Sequence, residues 1–226
     1  MKKTKKYKSK KYYNFIWVVL LILILPLVCY KVLSNIIDDY ENVYFKNISF
    51  LMFGIMVLIS IVLSIINVFV MINRNNFYNN AIVTKQYSDA LKKIIKLNKF
   101  PISRLNFCKN KLYEAYLYLR KMELDNAIET FNDVIEINNY YKCGQMFDIL
   151  SNYYLILIFL FNDNYDKYSK MVDDYLVNYS SFKNKNAQEL INTIKLLDKK
   201  EYIKAKEKLL KESNNNKFID SLVRKM

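Results

Sequence analysis

The sequence contains no histidine, and it has only two glycines and two prolines among 226 residues. Without histidine, the chain lacks the commonest general base, the base of the usual catalytic triads and the commonest zinc ligand. It also lacks a glycine-rich phosphate loop and a glycine-flanked nucleophile. The cysteines Cys29, Cys108 and Cys143 have no metal-binding or redox spacing, which favours reduced structural thiols. We therefore expect no enzymatic activity, no metal and no cofactor.

Basic residues are concentrated at the N-terminus. The formal net charge is +14, and residues 1–13 contain seven lysines and no acidic residue. Residues 75–226 contain 25 Lys and Arg and 18 Asp and Glu, a balance that is typical of a mildly basic, solvated surface. A lysine cluster before an apolar segment is typical of the cytoplasmic side of a membrane span, where it is attracted to anionic lipid. Nucleic acid is the alternative partner, but no nucleic-acid-binding motif accompanies the charge, so none is expected.

Two stretches are apolar enough to span a membrane. Residues 15–30 carry no charge, and residues 48–72 form a longer uncharged run. With a rise of about 1.5 Å per residue and a hydrocarbon core of about 30 Å, the first is near the lower limit and the second can span with tilt. The alternative for the first stretch is a signal peptide, or a lipoprotein signal ending at Cys29. Residues 26–28, Pro-Leu-Val, are not the small residues that a signal peptidase needs.

The lysine-rich tail predicts the orientation of the two spans. Because such a tail resists translocation, we expect it inside, the loop of residues 31–47 outside, and the chain after the second span inside again. The predicted organisation is a basic cytoplasmic tail (1–13), a two-helix transmembrane hairpin (14–74) and a cytosolic helical domain (75–226). The protein is predicted to be integral to the plasma membrane, with both termini in the cytoplasm.

After residue 73, apolar residues recur every three or four positions, a spacing typical of helices, and no segment alternates as a strand does. Clusters of Asn, Asp and Lys are expected to form the turns, since Asn tolerates the left-handed conformation. The segments that begin at Tyr87, Leu124, Tyr165 and Tyr202 are similar to one another, at intervals of 37, 41 and 37 residues. Three positions after each start stands Ala90, Ala127, Tyr168 or Ala205. Helix pairs repeating at this interval predict an α-solenoid, which makes the whole chain all-α.

The repeating unit resembles the tetratricopeptide repeat. The best copy is residues 110–139, in which Ala115 and Tyr118 stand where that family has a small residue and an aromatic residue on its first helix. The resemblance extends over residues 80–213, although the interhelical glycine and proline are missing and the intervals exceed the usual length. On the second helix of the best copy, the matching packing residues are Leu124, Ala127 and Phe131, followed by the closing segment 134–139.

This resemblance implies that the first helices of the pairs line a concave groove that binds peptides or extended segments of partner proteins. For the four apolar or aromatic candidates the alternative is burial between helices. The two basic candidates either pair with an acidic ligand or are solvated. The predicted groove residues are Lys109, Leu112, Tyr116, Arg120, Tyr153 and Leu157.

Two functions fit this organisation. A membrane-anchored adaptor would use the helical array to hold a protein partner close to the bilayer. An immunity or peptide-sensing protein would instead use the transmembrane hairpin to recognise its partner. The apolar spans contain no ionisable residue, so transport or proton relay has no carrier group. Because the adaptor needs only features that are visible in the sequence, it is the preferred hypothesis.

Overall fold

The computed structural model describes residue 31, residues 43–98, residues 103–213 and residues 216–226. Lys31 is helical, and the other described residues form nine helices and no strand. The all-α fold class is therefore confirmed. The predicted tail and the first predicted span lie outside the described residues. The helices are α1 (Val43–Thr84), α2 (Tyr87–Leu97), α3 (Arg104–Arg120), α4 (Leu124–Tyr141), α5 (Gln145–Phe161), α6 (Tyr165–Tyr179), α7 (Lys185–Asp198), α8 (Tyr202–Glu212) and α9 (Lys217–Lys225).

Asparagine side chains cap the N-termini of three of these helices. Asn164 accepts a hydrogen bond from the backbone N–H of Lys167 at the start of α6. Asn184 and Asn216 accept equivalent bonds at the starts of α7 and α9. Each bond satisfies a backbone donor that has no partner within the helix. Asparagine therefore contributes to the helix boundaries mainly as an N-cap in this part of the chain.

The left-handed turn positions are not occupied by asparagine, contrary to the role expected for it. Among the described non-glycine residues, positive φ angles occur at Lys85, Met122, Lys142, Asp163 and Lys200, with values of 54° to 61°. Each of these residues lies in the connection that follows a helix. Their long or charged side chains remain at the surface, so the turns accept the local strain of a left-handed residue with a Cβ atom.

Contacts within the chain divide it into two units, with a boundary between Ile72 and Asn73. In the first unit, the described residues are Lys31, Ser103 and residues 43–72 of α1, which include the longer apolar run. The segment Gly54–Thr84 is long and apolar enough to cross a membrane, and none of its most apolar stretch is buried. Its serine hydroxyls are satisfied within the helix, since Ser60 donates to the carbonyl of Met56 and Ser64 to that of Ser60. Hydroxyls paired in this way are compatible with a lipid environment.

The second unit consists of residues 73–99 and 104–226. From α2 to α9, each helix packs against the next helix along the chain. In addition, α3 packs against α5, and α5 packs against α7. The small residues Ala115, Ala127 and Ala205 are completely buried where helices meet. Their size allows the close approach that the repeat predicted.

The last helix, α9, folds back onto earlier helices. Besides its neighbour α8, it packs against α5 and α3 rather than against α7. Phe218 is completely buried, and its ring centroid lies 5.3 Å from that of Phe161 at the end of α5. Lys225 donates to the carboxylate of Asp163 at 2.5 Å. Helix α9 therefore covers part of the side formed by α3 and α5.

We predict that residues 73–226 fold alone as a soluble helical domain and are more stable than residues 80–226. The shorter fragment loses Phe77 and Tyr78, which pack against the core around Ile94 and Leu117. It also loses Arg74, which binds side chains of α3. Circular dichroism and urea unfolding of the two fragments provide the measurement. Equal midpoints of unfolding, or an insoluble longer fragment, would contradict the prediction.

Candidate interaction surface

The six groove residues predicted from the sequence occupy two kinds of position. Leu112, Tyr153 and Leu157 are buried in the core, so a partner at the surface would not contact them directly. For these three residues, the alternative of burial between helices therefore holds. The partly exposed residues of the set are Lys109, Tyr116 and Arg120, all on α3.

Tyr116 belongs to a group of partly exposed tyrosines contributed by three helices, here called the tyrosine cluster: Tyr78 of α1, Tyr113 and Tyr116 of α3, and Tyr154 of α5. The ring centroids of Tyr78 and Tyr113 are 4.7 Å apart, and those of Tyr116 and Tyr154 are 5.2 Å apart, both with edge-to-face geometry. Such aromatic pairs stabilise packing and still present polar hydroxyls at their ends. The cluster is therefore rigid and amphipathic, as protein-binding surfaces often are.

Phe131 of α4 supports this cluster from the interior. Its ring stacks on that of Tyr154, with centroids 5.6 Å apart and planes at 8°, and it meets the edge of Tyr116 at 5.9 Å. Phe131 is completely buried. One buried ring therefore fixes the positions of two partly exposed rings on neighbouring helices.

Arg120 lies at the end of α3, beside the cluster. Its Nε donates to the hydroxyl of Tyr78 at 3.3 Å, and its guanidinium carbon lies 5.8 Å from the centre of the same ring. The positive charge of Arg120 also acts on the Tyr154 hydroxyl and opposes the increase in its pKa that burial causes. Arg120 thus contributes a positive charge whose position is fixed by Tyr78.

Glu212, the last residue of α8, contributes a negative charge to the same group of side chains. Both of its carboxylate oxygens accept from the hydroxyl of the buried Tyr153, each at 3.0 Å. Burial raises the pKa of Glu212 above its ordinary value of 4.5, and the hydrogen bond from Tyr153 opposes this change. Burial raises the pKa values of the Tyr116 and Tyr154 hydroxyls, and the Glu212 charge adds to this increase. The Tyr154 hydroxyl therefore lies within electrostatic reach of both Glu212 and Arg120, and the Tyr116 hydroxyl within reach of Glu212.

The raised pKa of Glu212 leads to a prediction about stability and pH. Because the folded state holds the Glu212 proton more tightly than the unfolded chain does, this group makes the domain more stable as the pH falls from neutral toward 4.5. We expect Glu212→Gln, which keeps an acceptor for Tyr153, to be more stable than the wild type at neutral pH. The difference should shrink toward zero near the ordinary pKa. Unfolding midpoints of both proteins across this range test the prediction; a constant difference would contradict it.

Away from the tyrosine cluster, a polar group is buried between α1 and α3. Arg74 is 2% exposed, and its Nη1 donates to the side-chain oxygens of Asn106 at 3.1 Å and Asn110 at 3.3 Å. Its guanidinium carbon also lies 5.2 Å from the centre of the Tyr113 ring. These bonds offset part of the cost of burying the charge. The group holds α1 against α3 and thereby fixes Tyr113.

Sequence reasoning missed Glu212, Tyr78, Tyr113 and Tyr154. A signal for Glu212 is present, because an acid in the last position of a helix meets the unfavourable negative end of the helix dipole and needs a compensating partner. The tyrosines carry no such signal, since the chain contains 20 of them. Among the described residues, no group of His, Cys, Asp or Glu side chains has the arrangement of a metal site.

Comparisons with known proteins provide no relative for this chain. A scan against protein-family models, a search of curated proteins and a search of solved structures each found no match.

Proposed function

We propose that the protein is a membrane-anchored adaptor that presents a tetratricopeptide-like α-solenoid to the cytosol and binds a partner protein there. The observation that carries the proposal is the combination of an unburied, membrane-length apolar segment with a separate helical unit that has a rigid tyrosine cluster. The cluster and its two opposite charges, Arg120 and Glu212, suit recognition of a polar peptide segment. In this proposal the protein has no catalytic role.

The order of helix contacts supports the solenoid. The first helices of the proposed pairs, α3, α5 and α7, pack in series, and the second helices α4 and α6 each contact the first helix of the next pair. Stacked helix pairs have this pattern of contacts. The tyrosine cluster then belongs to the face formed by the first helices, which is the binding face in tetratricopeptide-like arrays.

The proposed anchor is a two-span hairpin with both termini in the cytoplasm. We expect a cysteine introduced at Ser34 to react with a membrane-impermeant thiol reagent added outside the cell. A cysteine at Ser181, which is exposed in the helical unit, should react only after the membrane is permeabilised. The background carries alanine in place of the three natural cysteines. Labelling of the second position in intact cells would contradict the topology.

Affinity capture after crosslinking in the protein's own cells tests the adaptor. Arg120→Glu reverses the charge at the tyrosine cluster, and Lys92→Glu on α2 reverses an exposed charge elsewhere on the unit. Tyr116→Ala is unsuitable for this test, because Tyr116 packs against Phe131 and Tyr154. We expect Arg120→Glu to lose a partner that Lys92→Glu retains, with helicity and membrane insertion unchanged in both variants.

Two results would oppose the adaptor. If both variants captured the same partners equally, the tyrosine cluster would not be the binding surface. Partners captured by residues 1–80 alone would transfer recognition to the membrane segment, as in an immunity or peptide-sensing protein.

A further inference from the structure

The carboxylate of Glu212 has a surrounding that suits a cation, yet none of the described basic residues pairs with it. Its two oxygens accept only from the hydroxyl of Tyr153 in this part of the structure. Glu189, the other charged group that acts on it, is also acidic. Glu212 as a whole is only partly buried.

Tyr153, which binds this carboxylate, packs among other aromatic rings. Tyr153 and Tyr154 meet edge to face with centroids 5.2 Å apart, and Tyr116 meets Tyr154 at the same distance. The Tyr175 hydroxyl is also within electrostatic reach of Glu212. The face of a tyrosine ring attracts a cation, and a neighbouring carboxylate strengthens that attraction. Rings and a carboxylate together are the chemistry that recognises a lysine ammonium or an arginine guanidinium.

Helix α9 leaves this chemistry unsatisfied. It packs against α3 and α5, but its lysine Lys225 binds Asp163 and the carbonyl of Phe161 rather than Glu212. Arg120, the basic residue of the tyrosine cluster, donates to Tyr78. Both of these cations are thus engaged with other groups.

We propose that Glu212, with Tyr116 and Tyr154, receives one lysine or arginine side chain from an extended segment of the partner protein. This inference rests on the proposed adaptor function and specifies the chemistry of its partner. The basic side chain compensates for the Glu212 charge, while Arg120, whose charge acts on the same Tyr154 hydroxyl, disfavours a second cation in the bound segment.

The test uses the full chain in lipid nanodiscs and a phage-displayed library of random linear peptides. We expect the selected peptides to share a lysine or arginine at one position. For a synthetic peptide from the selection, Glu212→Gln should weaken binding about tenfold, which corresponds to about 1.4 kcal/mol. Replacing the shared residue with acetyl-lysine or citrulline should weaken binding to the wild type by a similar factor.

Glu207→Gln is the matched control, since it removes the same charge from an exposed position on α8 and should leave binding unchanged. Glu212→Gln keeps an acceptor for Tyr153, and a helical spectrum with an undiminished melting temperature shows that it folds. Selected peptides that lack a shared basic residue, yet lose binding to Arg120→Glu, would overturn the Glu212 site and leave the adaptor standing. A selection without any peptide sensitive to Arg120→Glu or Glu212→Gln would overturn both.

Discussion

Replacing Phe131 with alanine is expected to lower the free energy of unfolding of residues 73–226 by about 3–5 kcal/mol. Phe131 is completely buried, and its ring touches Tyr116 and Tyr154 on two other helices. Alanine would leave a cavity where α3, α4 and α5 meet, and a close-packed interior recovers little of that loss by relaxation. Urea unfolding followed by circular dichroism measures the change.

The matched control is Val177→Ala on α6. Val177 is 82% exposed, so the truncation should change the free energy of unfolding by no more than about 0.5 kcal/mol. Losses of similar size in the two variants would mean that Phe131 does not occupy the interior. Phe131→Leu, which retains much of the volume, should recover part of the loss.

Replacing Arg74 with methionine is expected to destabilise the same fragment by about 2–4 kcal/mol, because buried side-chain oxygens lose their donor. Asn106 and Asn110 each accept from Arg74, and methionine offers neither of them a hydrogen bond. The change also removes the cation beside the Tyr113 ring. Lys92→Met removes the same charge from an exposed position on α2 and should have little effect.

A double-mutant cycle with Asn110→Leu separates the hydrogen bond from general packing. Asn110 is buried and bonds to Arg74, so the double variant removes a donor together with one of its acceptors. We expect it to be more stable than the sum of the single losses implies, by about 1 kcal/mol. Strict additivity would show that the two side chains do not interact.

The helices of the second unit were predictable because each one carries a local signal. Apolar residues at intervals of three and four mark the helical segments, and polar N-caps such as Asn184 and Asn216 mark two of the starts. The small residues Ala127 and Ala205 indicated close packing, and both are fully buried. The turns were less predictable, since Met122 and Lys142 adopt the left-handed conformation without a sequence signal for it.

The candidate surface was only partly predictable, because helical spacing does not say which partner covers each side of a helix. Tyr153 and Tyr154 are adjacent in sequence, but Tyr153 is fully buried and Tyr154 is partly exposed. Leu157 follows Tyr153 by one helical turn and is buried with it. The position of Glu212 beside Tyr153 joins residues that are 59 positions apart, and such a pairing depends on the packed helices rather than on any local pattern.

The return of α9 to α3 and α5 determines when the second unit is completed during synthesis. A plain repeat array consists of local contacts and can fold from its first repeat onward as the chain emerges from the ribosome. Here the final helix supplies Phe218, Ile219 and Leu222, all buried, to a region built from much earlier segments. This raises the contact order of the unit, which slows folding. The nascent chain therefore keeps an apolar site open until residues 217–225 have left the ribosome.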